Sequence, residues 1–298
     1  WVRAATIDFE MLSSLHFHRH TENGLDTYTL RHLAFNGSVT PPTGSFEPIA
    51  SIVRPADPAL DVLLRAQVGL VESYSDLRED RMTEILAQLG PPIAFWSSIV
   101  NVHPDRRRWT LELLEAVLRL SNFAEMRFKH ALAVRRPLEY SPQLQPIILT
   151  PGHGSLPSGH STEAFMLGYV LWRLLREANP AIDFSWCEQI MRQASRVAIN
   201  RTVAGVHFPV DSAAGATLGL CLGQYFVSRC LGAGNYIPMI FRIDQFVAAS
   251  DFDWRLLFDA TTGGLAAAPA FAPHRPAQVA AQSPLLGWLW THALGEWQ

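Results

Sequence analysis

Apolar positions recur at helical spacing along most of the chain and alternate almost nowhere. After Ala59, residues Leu60, Leu63, Leu64, Val68 and Leu70 fall mostly three or four apart, which predicts a helix. Ser75–Leu89 predicts a second helix, with Ser75 as a candidate cap and Gly90 and Pro91 as its end. Ile93–Val102 predicts a third. Thr110–Arg135 reads as a long helix with the stripe Leu111, Leu114, Val117, Leu118 and Phe123, stopped ahead of Pro137, which cannot continue the ladder. A loop from Leu138 to Gly159 holds Pro142, Pro146, Pro151 and Pro157. Helices over His160–Arg176, Phe184–Arg201 and Pro209–Arg229, and a short one over Asp251–Phe258, complete the pattern. Strand signals are weak, so the expected fold is an all-α helical bundle. The core bundle spans 59–258. Residues 1–58, punctuated by Gly37, Gly44, Pro41, Pro42, Pro48, Pro55 and Pro58, read as an irregular segment packed on it. Residues 259–298 read as an Ala/Pro-rich linker, Thr261–Ser283, and an apolar tail, Leu285–Trp290. The tail can dock on its own body or on a second copy, so a homo-oligomer is one expectation.

Composition narrows the class. Hydrophobic residues are 48% of the 298 and charged residues 17%, below the usual figure of about 25%, so the chain folds. Lys plus Arg number 24 against 27 Asp plus Glu, a net charge of −3, which provides no field for nucleic acid. The basic residues are nearly all Arg, whose planar fork suits oxyanions. Cys187, Cys221 and Cys230 form neither a disulfide framework nor a metal knuckle and read as buried thiols. The most apolar stretch, Ser212–Leu231, contains Gln224 and Arg229 and reads as a buried helix, not a transmembrane span. A soluble protein is expected. Because the chain starts at Trp1, the choice between cytoplasm and periplasm stays open. His16, His18 and His20 would share one face of a strand and could hold Zn or Ni, but read as a polar loop. Asn36-Gly37-Ser38 fits a glycosylation sequon without a context that supports its use.

Three segments set basic groups beside glycine and proline. Lys129 and Arg136 are seven apart, two helical turns, and share a face ahead of Pro137. Pro157-Ser158-Gly159-His160 leads straight into an apolar helix, whose first N–H groups attract anions. Arg201 precedes His207 by six residues, and Asp211 follows His207 by four, one turn on from an imidazole it can orient. Read singly, these are a solvated helix end, an ordinary helix cap and a satisfied histidine.

Together they resemble the signature of the type 2 phosphatidic acid phosphatase (PAP2) and vanadium haloperoxidase superfamily: Lys, six residues, Arg-Pro; Pro-Ser-Gly-His; Arg, five residues, His, three residues, Asp. All spacings inside the motifs match, and the resemblance covers about Leu111–Leu222. The departure is Asn200, where the family usually has Ser. The resemblance implies that Lys129, Arg136 and Arg201 cage a tetrahedral oxyanion, with Ser158 and the Gly159 N–H as further donors. It implies His160 as general acid and base, His207 as nucleophile or as the ligand of vanadium, and Asp211 as the residue that holds His207.

Two activities share this motif. A phosphoric monoester hydrolase working through a phosphohistidine needs no cofactor and acts on a small phosphoester; a haloperoxidase holds vanadate and uses peroxide and a halide. The compact spacing, 24 residues from Arg136 to His160 and 47 from His160 to His207, resembles the acid phosphatases. Met126, where the haloperoxidases usually place Trp, points the same way. His153, seven residues before His160, matches a histidine of the bromoperoxidases and favours the second activity. Phe128, Leu138, Tyr140, Leu144 and Phe208 are expected to form an apolar mouth around the site.

Overall fold

The computed structural model describes residues 2–34, 45–90 and 92–298. The sequon at Asn36 and the breakers Gly37, Pro41, Pro42, Gly44 and Pro91 lie outside them. The elements are α1 (Val2–Ser13), β1 (Leu15–Glu22), β2 (Leu25–Ala34), β3 (Ser45–Arg54), α2 (Asp57–Ser73), α3 (Arg78–Ala87), α4 (Ile93–Ser97), α5 (Arg108–Leu132) and α6 (Pro137–Tyr140). They continue with α7 (Gly159–Ala178), α8 (Phe184–Val203), α9 (Pro209–Leu231), β4 (Met239–Arg242), β5 (Phe258–Asp259), β6 (Gly264–Leu265), β7 (Phe271–Pro273) and α10 (Pro284–Gly295).

The expected all-α fold is overturned by a mixed five-stranded sheet of order β1-β2-β3-β4-β7. The pairs β1–β2 and β2–β3 are antiparallel, β4 lies parallel to β3, and β7 returns antiparallel to β4. Residues read as irregular therefore supply a helix and three strands. A two-residue turn joins β1 to β2, with Asn23 at φ 52° and Gly24 at φ 75°, the left-handed pair that an Asn-Gly hairpin requires. In β2 Tyr28, Thr29, Leu30 and His32 are buried, with alternation only over Leu30–Leu33. It is lost in β3, whose run Ile49–Val53 is buried throughout because this central strand has packing on both faces. The stretch read as a linker holds β6 and β7, and the short helix expected over Asp251–Phe258 is a single 3₁₀ turn, Trp254–Leu256.

The helices surround α7 and α9. Buried Leu113, Leu114, Val117, Leu120, Ala124, Phe128 and Leu132 recur at helical spacing along α5. Ala133 at φ 48° closes that helix, its N–H bonded to the Lys129 carbonyl. Glycine in α9 lets it approach α7 closely, since a Cβ on Gly219 would collide with the Thr162 carbonyl oxygen. The tail docks on its own body as α10, burying Leu286, Leu289, Trp290 and Ala293 against α5, α7 and α9. The three cysteines are buried free thiols. Among the described residues no helix is long and apolar enough to cross a membrane.

Candidate functional site

The first signature segment ends α5, and Lys129 is the chain's single lysine. Its ammonium is buried and gives its hydrogens to the carbonyls of Pro157 (2.6 Å), Ser155 (3.3 Å) and Gly154 (3.5 Å). Three donors thus fasten the loop that leads into α7. Burial pushes this amine down to about 8, against the pull of Glu125.

Arg136 sits just past that helix, where Glu139 Oε1 accepts its backbone N–H at 2.8 Å. Its guanidinium spans the site. Nη1 donates to the Val206 carbonyl (2.8 Å) and to Nε2 of His207 (3.0 Å). Nε donates to the His153 carbonyl (3.2 Å), and Nη2 contacts Nδ1 of His153 (3.2 Å). His153 therefore borders the site through Arg136.

Ser158 caps α7. Its Oγ accepts the Ser161 N–H at 3.4 Å, and its own N–H donates to the Asp211 carbonyl at 2.9 Å, joining the second segment to the third. The first-turn N–H groups of Gly159 and His160 have no carbonyl within the helix to receive them. Glycine at 159 leaves room for the Glu125 carboxyl, which a Cβ there would displace.

His207 lies between α8 and α9, and its Nδ1 is 3.1 Å from Oδ2 of Asp211. That carboxylate oxygen also accepts from the Phe208 N–H (2.9 Å) and from Ser155 Oγ. Since the carboxylate accepts, Nδ1 carries the proton and Nε2 keeps its lone pair. Burial first, then the charges of Arg136, Lys129, His160 and Arg201, hold the imidazole well below its usual value. Those four groups thus converge on His207. Asp211 is raised by burial to about 6, opposed by its Ser155 and Phe208 bonds.

On the opposite side, Arg201 donates through Nη2 to Oε1 of Gln88 (2.7 Å) and to the Ile85 carbonyl (3.3 Å). Its Nε and Nη1 are buried with no partner among the described residues. Two buried donors without a protein partner are suited to an oxyanion. His160 gives Nε2–H to the Gln88 carbonyl at 3.0 Å, which leaves Nδ1 as its open atom. Burial, then Arg201, lower it to about 3.

Contacts join Lys129, Arg136, Ser158, His207 and Asp211 around the loop before α7, and His160 with Arg201 around Gln88, and four residues outside the motifs stand beside them. Ser155 steers Asp211, and Gln88 at the end of α3 holds Arg201 and His160. Glu125, buried on α5, and Glu163, half-buried on α7, are the other two. Asn200, the departure from the family pattern, donates to Glu84 (3.0 Å) and Gln88 (3.1 Å) and accepts from Arg81 (3.0 Å), tying α8 to α3. The expected apolar mouth is not assembled: Phe128, Leu144 and Phe208 are buried in the core, and Tyr140 gives its hydroxyl to Asp61. A cavity of about 300 Å³ opens instead beside Arg136, lined by Leu138, Glu139, Pro151, His153 and Gly154. The histidines of β1 sit at alternating strand positions, and among the described residues no group of three His, Cys, Asp or Glu suits a metal ion.

The family model described as PAP2 superfamily matches residues 110–232, which bears out the resemblance over the segment carrying all three motifs. Among solved structures, the chain is similar to the "first transmembrane PAP2 type phosphatidylglycerolphosphate phosphatase from Bacillus subtilis", with 22% identity and a TM-score of 0.37. That likeness covers 56% of this chain and 81% of the other. No curated protein matches the chain.

Proposed function

From a PAP2 superfamily segment at residues 110–232, we propose that the protein is a phosphoric monoester hydrolase acting through a phosphohistidine. One observation carries the reading. Asp211 at 3.1 Å from Nδ1 leaves His207 with a deprotonated Nε2 bonded by Arg136, and Arg201 of the same signature holds Nε and Nη1 buried with no partner among the described residues.

The chemistry follows from those atoms. A phosphoryl group held by Arg201, the α7 N–H groups and Arg136 has its equatorial charge spread over preorganised donors. His207 Nε2 attacks phosphorus, forming a P–N bond as the P–O bond to the leaving group breaks. The imidazole becomes cationic, and Asp211 stabilises that charge. His160 protonates the leaving oxygen through Nδ1, after the charge of a bound dianion has offset the burial and the cations that keep it neutral. Water then attacks phosphorus, with His160 accepting its proton, and breaks the P–N bond.

His153 favours a second reading, because it contacts Arg136 at 3.2 Å on the rim of the pocket. In a haloperoxidase the same cage would hold vanadate, with His207 Nε2 as its protein ligand. Vanadate would supply peroxide activation, and Arg136, Arg201 and Gly159 would hold its oxygens.

A paired assay separates the two readings: release of phosphate from an aryl phosphate with and without vanadate, and bromide oxidation with vanadate and peroxide. The hydrolase reading expects phosphatase turnover that vanadate inhibits. Bromide oxidation without phosphatase turnover contradicts it.

A further inference from the structure

Two acids beside the signature residues have no part in the motif, Glu125 buried and Glu163 half-buried. Glu125 stands on α5 one turn before Lys129, is 4% exposed, and its Oε2 has no hydrogen-bond partner among the described residues. The carboxyl presses directly on Gly159, the residue that opens α7. Lys129 does not neutralise it by contact, because its hydrogens go to the three loop carbonyls. Glu163 stands on α7 one turn after His160. Its charge bears on Glu125, and the charges of Lys129 and Arg201 bear on it.

The groups facing this pair come from every element around the pocket: Lys129 on α5, Arg136 beyond it, His160 on α7, Arg201 on α8, and His207 with Asp211 at the start of α9. The cations are Lys129, Arg136 and Arg201; the carboxyls are Glu125, Glu163 and Asp211. With all six ionised the pocket is neutral. A phosphoester dianion entering it would then bring two negative charges into a buried space without compensation.

We infer that Glu125 and Glu163 are positioning residues that take up protons from solvent as the oxyanion enters, so that the cage becomes net positive only around its ligand. The inference rests on the oxyanion reading of the site and adds to it a rule for the ligand. A dianion binds together with protons, and a singly charged phosphodiester needs fewer. A protonated Glu125 also becomes an O–H donor beside Gly159. The titration directions agree: burial and then the Glu163 charge raise Glu125, and burial raises Glu163 against the pull of Lys129 and Arg201.

Sulfate is a suitable probe because its own charge stays constant from about pH 5 to about pH 9, so any proton taken up comes to the protein. Calorimetric titration with sulfate in two buffers of different ionisation enthalpy counts those protons. It should be run on wild type, Glu125→Gln, Glu163→Gln and the double variant, each checked for folding by circular dichroism. From about pH 8 upward, where Glu125 is ionised in the free protein, wild type is expected to bind sulfate with proton uptake, its affinity falling about tenfold per pH unit for each linked proton. Each single variant should take up fewer protons and lose part of that slope, and the double variant should retain only the uptake due to His160 and His207. Equal uptake by wild type and the folded variants overturns the carboxyl pair and leaves the oxyanion reading standing. No sulfate binding by any folded form overturns both.

Discussion

Nη1 of Arg136 lies 3.0 Å from Nε2 of His207, so an arginine donor occupies the lone pair proposed to attack phosphorus. The same nitrogen donates to the Val206 carbonyl, which keeps the guanidinium in place when His207 turns to an electrophile. Arg136 thereby fixes the imidazole plane before reaction and can stabilise an equatorial oxygen during it. Lysine cannot span the His153, Val206 and His207 acceptors at once. Arg136→Lys is expected to lower kcat/KM for an aryl phosphate by about 10²-fold or more. Steady-state kinetics on the folded variant check this, and a change within a few-fold contradicts it.

Glu125 gives a stability prediction with a definite sign. Its folded value lies above the ordinary 4.5, so the native protein keeps a proton that the unfolded chain has released. The associated stability is fully present below 4.5 and is lost as pH rises through the folded value, at about 1.4 kcal/mol per pH unit for each proton retained. Glu125→Gln removes this loss. The variant's advantage over wild type in urea denaturation should therefore grow as pH rises across that window. An advantage that stays constant with pH contradicts the assignment.

Lys129 can be followed directly because no other lysine is present. Protein grown with ¹³C-lysine should show one side-chain Cε signal, titrating near 8 and not near the ordinary 10.5. An oxyanion in the pocket should raise that midpoint. A midpoint at or above 10.5 would mean that the amine is not held in the buried loop contact.

Asn200 departs from the family pattern and carries structure. Asn200→Ser removes its two donations, to Glu84 and Gln88, and loosens α3 from α8. The expected cost is about 1–2 kcal/mol. Because Arg201 keeps its bond to Gln88, kcat should stay within about tenfold of wild type. Thermal denaturation and kinetics on one preparation check both halves.

The sequence reveals the site better than the sheet, for physical reasons. Lys129, Arg136, Ser158, Gly159, His160, Arg201, His207 and Asp211 lie at helix ends, where local spacing dictates which groups converge. Glu125 was legible in principle: it follows Ala124 on a face where Leu114, Val117, Ser121 and Phe128 are all buried, and an acid at such a position requires a reason. Gln88 and Ser155 reach the pocket only through tertiary packing and leave no local mark. The strands escaped because β3 is central and reads as a continuous apolar run, and because β4 and β7 are only four and three residues long. The β1–β2 hairpin had its signal in Asn23-Gly24.

The central claim is that His207 becomes phosphorylated, and rapid trapping tests it most directly. Enzyme in excess over a ³²P-labelled aryl phosphate would be quenched within the first turnover into alkaline denaturant, where a phosphohistidine survives, and the labelled peptide mapped. The account predicts label on His207 in wild type and none in His207→Ala, with longer-lived label when His160→Ala slows attack of water on phosphorus. Phosphate release by wild type without label on His207 at any quench time, or label that persists in His207→Ala, would contradict it.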